Sequence, residues 1–327
     1  MEVEMEKLDL MKRRAFWVAS LSVVLAAVIV AVGSYQSALA AEVKQIQQKG
    51  FPSPEEAVKS LMGAVKSNDT KELLAIFGPA GKEIISSGDQ VADKARRERF
   101  IKSYEETSKL EKEADNKVTL VVGSDEWPFP IPIVKKGETW VFDTVAGKEE
   151  LLNRRIGRNE LNTIQTCLAY VDAQREYATK DRDSDKVREY AQKFMSTPGK
   201  KDGLYWKTKE GEPESPLGDL FAKAVKAGYT PGKPGGGPQP YWGYYYKILK
   251  AQGKNAPDGA YDYVINGKMI GGFALVAYPA EYGASGIMTF VVNHDGVVYQ
   301  KDLGKETGKI ASAMTKYDPD DTWQKAE

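Results

Sequence analysis

Histidine and cysteine are nearly absent: the 327-residue chain has one of each, His294 and Cys167. A lone cysteine closes no internal disulfide, and the chain has no Cys-x-x-Cys or His-Glu-x-x-His. Net charge is missing too. Lysine plus arginine total 46 and aspartate plus glutamate total 46, so the chain lacks the basic footprint of a nucleic-acid binder. There is no Gly-x-Ser-x-Gly, and the glycines of 232–237 lack the Lys-Ser/Thr ending of a phosphate loop. These absences leave no ready-made catalytic constellation, and no cofactor or metal is expected. Two carboxylates meeting in space remain open.

Long apolar runs are missing downstream of residue 40. Upstream there is one, AFWVASLSVVLAAVIVAVG (15–33), preceded by Lys12-Arg13-Arg14 and followed by Ala38-Leu39-Ala40. The pattern reads as an export signal over 1–40 cut before Ala41, or, from its length, as a retained N-terminal anchor. The expectation is an exported protein, in the periplasm or at the surface of a bacterium, touching membrane only through that segment.

A polar lead-in (41–52) precedes a strong helix signal. Ser53, Pro54 and Glu56 spell a capping box with proline in the first turn, and Ala57, Val58, Leu61, Met62 and Val65 form one stripe. Asp69 and Glu72 repeat the logic ahead of Leu73–Phe77, and Gly78 stops that helix. A third helix is expected from about Asp93 to Tyr104. Strands follow at 118–122 and 139–143, with the proline-interrupted extended stretch 127–132 between them. Helices followed by a sheet define an α+β domain over 53–156. A second domain, 157–327, begins with a helix carrying Leu161, Ile164, Leu168 and Val171. Another is expected around Val187–Phe194 and a third from Ser215. After the Gly/Pro loop 228–240 comes an antiparallel meander, with Asn266-Gly267 and Asp295-Gly296 as hairpin turns.

His294 flanks that last turn, where shelter and an orienting partner for base catalysis are lacking, so it reads as a structural corner. Asp181, Asp183 and Asp185 sit at calcium-loop spacing, but Lys186 takes the glycine position and Gln192 that of the bidentate glutamate. A solvated turn fits better. The most unusual run is Tyr241-Trp-Gly-Tyr-Tyr-Tyr246. On a strand, Trp242, Tyr244 and Tyr246 share one face, and amphipathic rings on such a face suit a sugar or a protein partner. In the first domain Trp127, Phe129, Trp140 and Phe142 are candidates to line an apolar cavity.

The segments YWGYYYKIL (241–249), GGFALVAYPAEYGASGIMTFVVN (271–293) and DGVVYQKDLG (295–304) resemble an exported bacterial family known only as a domain of unknown function. More coarsely, LNTIQTCLAYVDAQREYA (161–178) followed by a meander resembles the globular part of type IV pilins and type II secretion pseudopilins. The pilin stem is absent, so the likeness implies a fold and not a filament. The first domain is similar to NTF2-like and cystatin-like α+β folds, which implies no function.

The reading that follows is a non-enzymatic envelope protein. It binds a protein partner or polymer through the aromatic strand and the adjacent Gly/Pro loop, and no nucleic acid. Two alternatives stand beside it: an envelope-polymer hydrolase using paired carboxylates, and a hydrophobic-ligand carrier using the first-domain cavity.

Overall fold

The computed structural model describes residues 47–229 and 238–326. The export segment and most of the Gly/Pro loop lie outside the described residues.

Local chemistry sets the first elements. The Ser53 hydroxyl accepts the Glu56 amide at 3.3 Å and starts α1 (Pro54–Ser67). Asp69 accepts the amides of Lys71 and Glu72, both at 3.0 Å, and starts α2 (Thr70–Phe77). Each cap satisfies amides that the helix itself cannot. A short α3 (Lys82–Ile85) precedes α4 (Gln90–Glu106), capped by Asp89. An antiparallel sheet follows: β1 (Ser108–Ala114), β2 (Lys117–Val122), β3 (Trp127–Pro128), β4 (Ile133–Lys136) and β5 (Thr139–Phe142). Its order is β1-β2-β4-β5, with β3 beside β2. Leu61, Ile76, Leu120, Ile131, Ile133 and Phe142 form the centre of the core between the helices and this sheet.

Helix α5 (Thr144–Tyr177) is 34 residues long and runs through position 157, where the sequence suggests a second domain begins. Residues 48–327 form one unit with two hydrophobic cores. Gly147 belongs to the helix because a Cβ there would stand 2.2 Å from the Pro130 carbonyl oxygen. Contact with the β3–β4 connection therefore requires glycine.

The helix expected over Val187–Phe194 does not form. Gln174 on α5 brackets Ala191 instead, donating to its carbonyl and accepting its amide, each at 2.8 Å. The Tyr190 amide goes to the Met269 carbonyl. Tertiary partners satisfy backbone groups that a helix would otherwise have paired.

After α6 (Gly218–Lys226) come β6 (Tyr244–Leu249) and two small hairpins, β7 (Ala251–Gln252) with β8 (Tyr261–Asp262) and β9 (Val264–Ile265) with β10 (Lys268–Met269). Then follow β11 (Ala274–Pro279), β12 (Met288–Asn293), β13 (Val298–Asp302), α7 (Thr307–Ala313) and β14 (Gln324–Lys325). The second sheet is the expected antiparallel meander, in the order β14-β13-β12-β11-β6. Strand β6 shows how it is layered. The Tyr246 hydroxyl meets Thr163 on α5, whereas the next residue, Lys247, donates to the carbonyls of Ser312 and Met314. Alternate side chains thus reach opposite layers. The whole is α+β.

Candidate functional site

The aromatic run departs from simple alternation. Trp242 lies ahead of β6, with φ 53°, and Gly243 has φ 77°. Tyr241 and Tyr244 exchange backbone hydrogen bonds of 2.8 and 3.2 Å around them. Two successive positive φ angles give this tight turn the hand of a type I′ hairpin, usually built on Asn-Gly. A tryptophan is an uncommon occupant, because a bulky L-residue is strained at positive φ. Trp242 therefore does not share a strand face with Tyr244 and Tyr246. That face points inward: Tyr244 is fully buried, its hydroxyl donating to the Met288 carbonyl at 3.0 Å, and Tyr246 is half-buried against α5.

Three rings meet at the turn, Tyr229 buried and Tyr241 and Trp242 half-buried. Tyr229 lies edge-on to Tyr241 at 5.0 Å and to Trp242 at 6.1 Å, and Tyr241 and Trp242 are 5.8 Å apart. Tyr241 and Trp242 are half-exposed. Beneath them sits Asp89, 1% exposed. Besides capping α4, its carboxylate accepts the Tyr229 hydroxyl and the Gly243 amide, each at 2.8 Å. The Trp242 amide completes the chain by donating to the Tyr229 oxygen at 3.1 Å. Burial, then the Asp89 carboxylate, pushes the Tyr229 phenol above its usual range, so it stays neutral and keeps donating. A Cβ at Gly243 would stand 2.6 Å from the Asn159 amide nitrogen on α5, which itself donates to the Ser285 carbonyl. Helices α4 and α5 thus grip the turn from below. Sequence reasoning named Trp242 and missed Asp89 and Tyr229. The one local signal at Asp89 is its cap spacing, Asp89-Gln90-Val91-Ala92, ahead of the expected helix start at Asp93, and a cap says nothing of the bonds to Tyr229 and Gly243.

The first-domain candidates pack on one another. Phe129 and Phe142 are buried, with Phe77 5.4 Å from Phe142 and 6.5 Å from Phe129. Trp127 and Trp140 are half-buried over this core, and the Arg154 guanidinium lies 5.7 Å from the Trp127 ring. Rings fill the interior that a carried ligand would need.

At the β12–β13 connection only Gly296 has positive φ, and its amide donates to the Asn293 carbonyl. The turn spans 293–296, so His294 lies inside it and not at its flank. The ring packs edge-on against Tyr263 at 5.7 Å and Phe273 at 6.1 Å. Asp181, Asp183 and Asp185 do converge, but the Lys268 ammonium pairs with Asp183 and Asp185 and with Glu189.

A groove of 640 Å³ also runs along α5, lined by Val145, Lys148, Leu152, Ile156 and Ile287 among others. Two of its polar groups, Lys148 and Glu160, are committed. Lys148 pairs with Glu83, and Glu160 accepts the amides of Ile287 and Met288 at 2.9 Å. Glu149 and Glu160, both lining it, are eleven residues apart on the helix, about 16 Å of rise. Paired-carboxylate glycoside chemistry uses roughly 5–9.5 Å. Nearby, Arg155 donates to the carbonyls of Glu83, Ile84 and Ala284. Burial first, then Arg96, lowers its guanidinium to about 9.

The fold and site define an α+β protein with an aromatic corner held on a buried carboxylate. Residues 48–326 match a family described as "Protein of unknown function (DUF2950)", and the chain belongs to that family. No curated protein and no solved structure matches it. Among the described residues no helix is long and apolar enough to cross a membrane.

Proposed function

We propose that this is an exported, non-enzymatic envelope protein that holds a polymer or protein partner at the Tyr229–Tyr241–Trp242 corner. The observation that carries the reading is Trp242 held at φ 53° on the buried Asp89–Tyr229 network. Backbone strain of this kind costs roughly 1–3 kcal/mol and persists only where surrounding structure over-determines it. Here it turns a large ring toward solvent beside two phenols. Such preorganised rings lose little entropy on binding and suit flat ligands with apolar faces and polar edges. The corner adjoins the Gly/Pro loop that the sequence also implicates. Export rests on the sequence of residues 1–40, and the pilin-like reading on the long helix packed against a meander.

Trp242→Gly tests it, since glycine accepts the backbone angle and removes the ring. The purified variant should stay folded and lose capture of envelope polymer from its producing cell. Undiminished capture by the folded variant contradicts the reading.

A further inference from the structure

The second sheet ends on an open edge. Strand β6 pairs with β11 on one side and is the last strand in the order. Along a strand, successive residues aim their backbone groups at opposite sides. Tyr244 exchanges its hydrogen bonds with Tyr241, away from β11, so the amides and carbonyls of Tyr246 and Ile248 point that way too. The Gly243 carbonyl confirms the phase, since it accepts the Ala280 amide just past β11. Among the described residues, no hydrogen bond reaches the backbone of Tyr246 or Ile248 on the outer side. Tyr245–Ile248 are half-buried, and a sealed unpaired backbone group is rare, so these four groups meet solvent. Both ends of the stretch are closed. Tyr241 stands against Tyr244 at one end, and at the other the Lys250 carbonyl accepts the Tyr263 amide at 2.8 Å. The 241–244 hairpin adds no second rung: Pro240 precedes Tyr241, and among the described residues the Gln239 backbone makes no hydrogen bond to Tyr246.

We infer that this edge takes a short extended segment of a partner polypeptide as a sixth strand. Two donors and two acceptors, repeating at roughly 6.8 Å, match the main chain of another strand, which carries the same groups at the same spacing. The closed ends decide what kind of strand fits. A second copy's β6 carries its own Tyr241 and Tyr263 attachments and would drive them against these, so two edges cannot pair. From Tyr244 to Lys250 is about 20 Å, room for roughly four residues between the attachments. A flexible terminus or loop can enter such a slot and leave it again. Tyr245 and Tyr246, on opposite faces of β6, flank it for alternate side chains of the segment. The edge is a second surface, beyond the corner's proposed role, because it needs no Trp242 ring.

Residue-resolved amide hydrogen exchange on the full chain tests the edge before any partner is in hand. The Tyr246 and Ile248 amides should exchange on the order of a hundredfold faster than those of Tyr245, Lys247 and Leu249, which pair with β11. Equal protection along the strand would show the edge already filled and overturns the proposal. Random heptapeptides displayed on phage, selected on the full chain and then synthesised, test the partner's chemistry. N-methylation of a selected peptide should lower affinity about tenfold at alternate residues and leave the residues between them nearly unaffected. The bound peptide should also slow exchange at Tyr246 and Ile248. Ile248→Pro should weaken binding likewise, since it removes an outward amide that no rung of the sheet uses, whereas Ile248→Val should keep it. If Ile248→Pro does not fold, the N-methylation pattern decides. No selected peptide, binding without the alternation, or undiminished binding by folded Ile248→Pro overturns the assignment. Trp242→Gly separates the two surfaces and should still take the peptide, whatever becomes of polymer capture. Loss of the peptide in that variant would place it on the corner and overturn the edge.

Discussion

Phe77, Phe129 and Phe142 meet inside the first core, whereas Tyr229, Tyr241 and Trp242 meet at the rim of the second sheet. The ring spacings are similar, 5.4 Å for the closest pair in the first set and 5.0 Å in the second. The surroundings differ. The phenylalanine side chains carry no polar atom and lie in an apolar core. The second set carries hydroxyls and an indole, is tied to a buried carboxylate, and leaves two rings half in solvent. Rings alone therefore do not mark a binding site; rings held rigidly at a surface by polar groups do.

Breaking the sealed set should have the largest effect. Phe142→Ala, at a fully buried position, should cost about 3–5 kcal/mol in chemical denaturation. Asp89→Ala comes next. It removes the α4 cap and leaves the Gly243 amide and Tyr229 hydroxyl without their acceptor, a loss of about 3 kcal/mol that chemical denaturation also reads. Polymer capture should fall with it, because the turn loses its support.

Alkali sharpens the contrast further. Burial raises the phenols of Tyr170, Tyr244 and Tyr246 in and around the second core, whereas the buried rings of the first core are all phenylalanines. A raised folded pKa means that the neutral phenol stabilises the fold fully below its unfolded value near 10. That contribution is lost as the pH climbs above it. Cys167 reports the change, since its buried thiol is pushed up to about 12. Its reaction with a thiol reagent should rise steeply above about pH 10, beyond what thiolate formation alone supplies, while Trp127 and Trp140 emission holds. Emission that shifts at the same pH would show that the two regions open together. The smallest expected effect is on stability in Trp242→Gly, within about 1 kcal/mol, because relief of strain offsets the lost ring contacts.

Much of the fold was legible from local chemistry. The caps at Ser53 and Asp69 and the hairpin at Asn266-Gly267 need only neighbours in sequence, and each is where the pattern put it. Strand β1 was not legible: SKLEKEA has a single half-buried residue, Leu110, and pairs with β2 along the sheet edge without an alternating apolar pattern. The first thirteen residues of α5 were hidden because Gly147 reads as a breaker until Pro130 is seen against it. Val187, Tyr190, Ala191 and Phe194 carry helical spacing yet are held by Gln174, a partner that no local window contains. The site divides the same way. Trp242 stood out by composition. Its hand of turn and its supports, Asp89 and Tyr229, depend on bonds between residues 140 and 154 positions apart.

The central claim is that ligand meets the protein at Trp242 and not along the α5 groove. Placing a photo-crosslinking residue at position 242 or, separately, at the exposed groove position Val145, then irradiating the producing cells, tests this most directly. The account predicts adducts with envelope polymer from position 242 and none from position 145. Adducts from position 145 alone would contradict it.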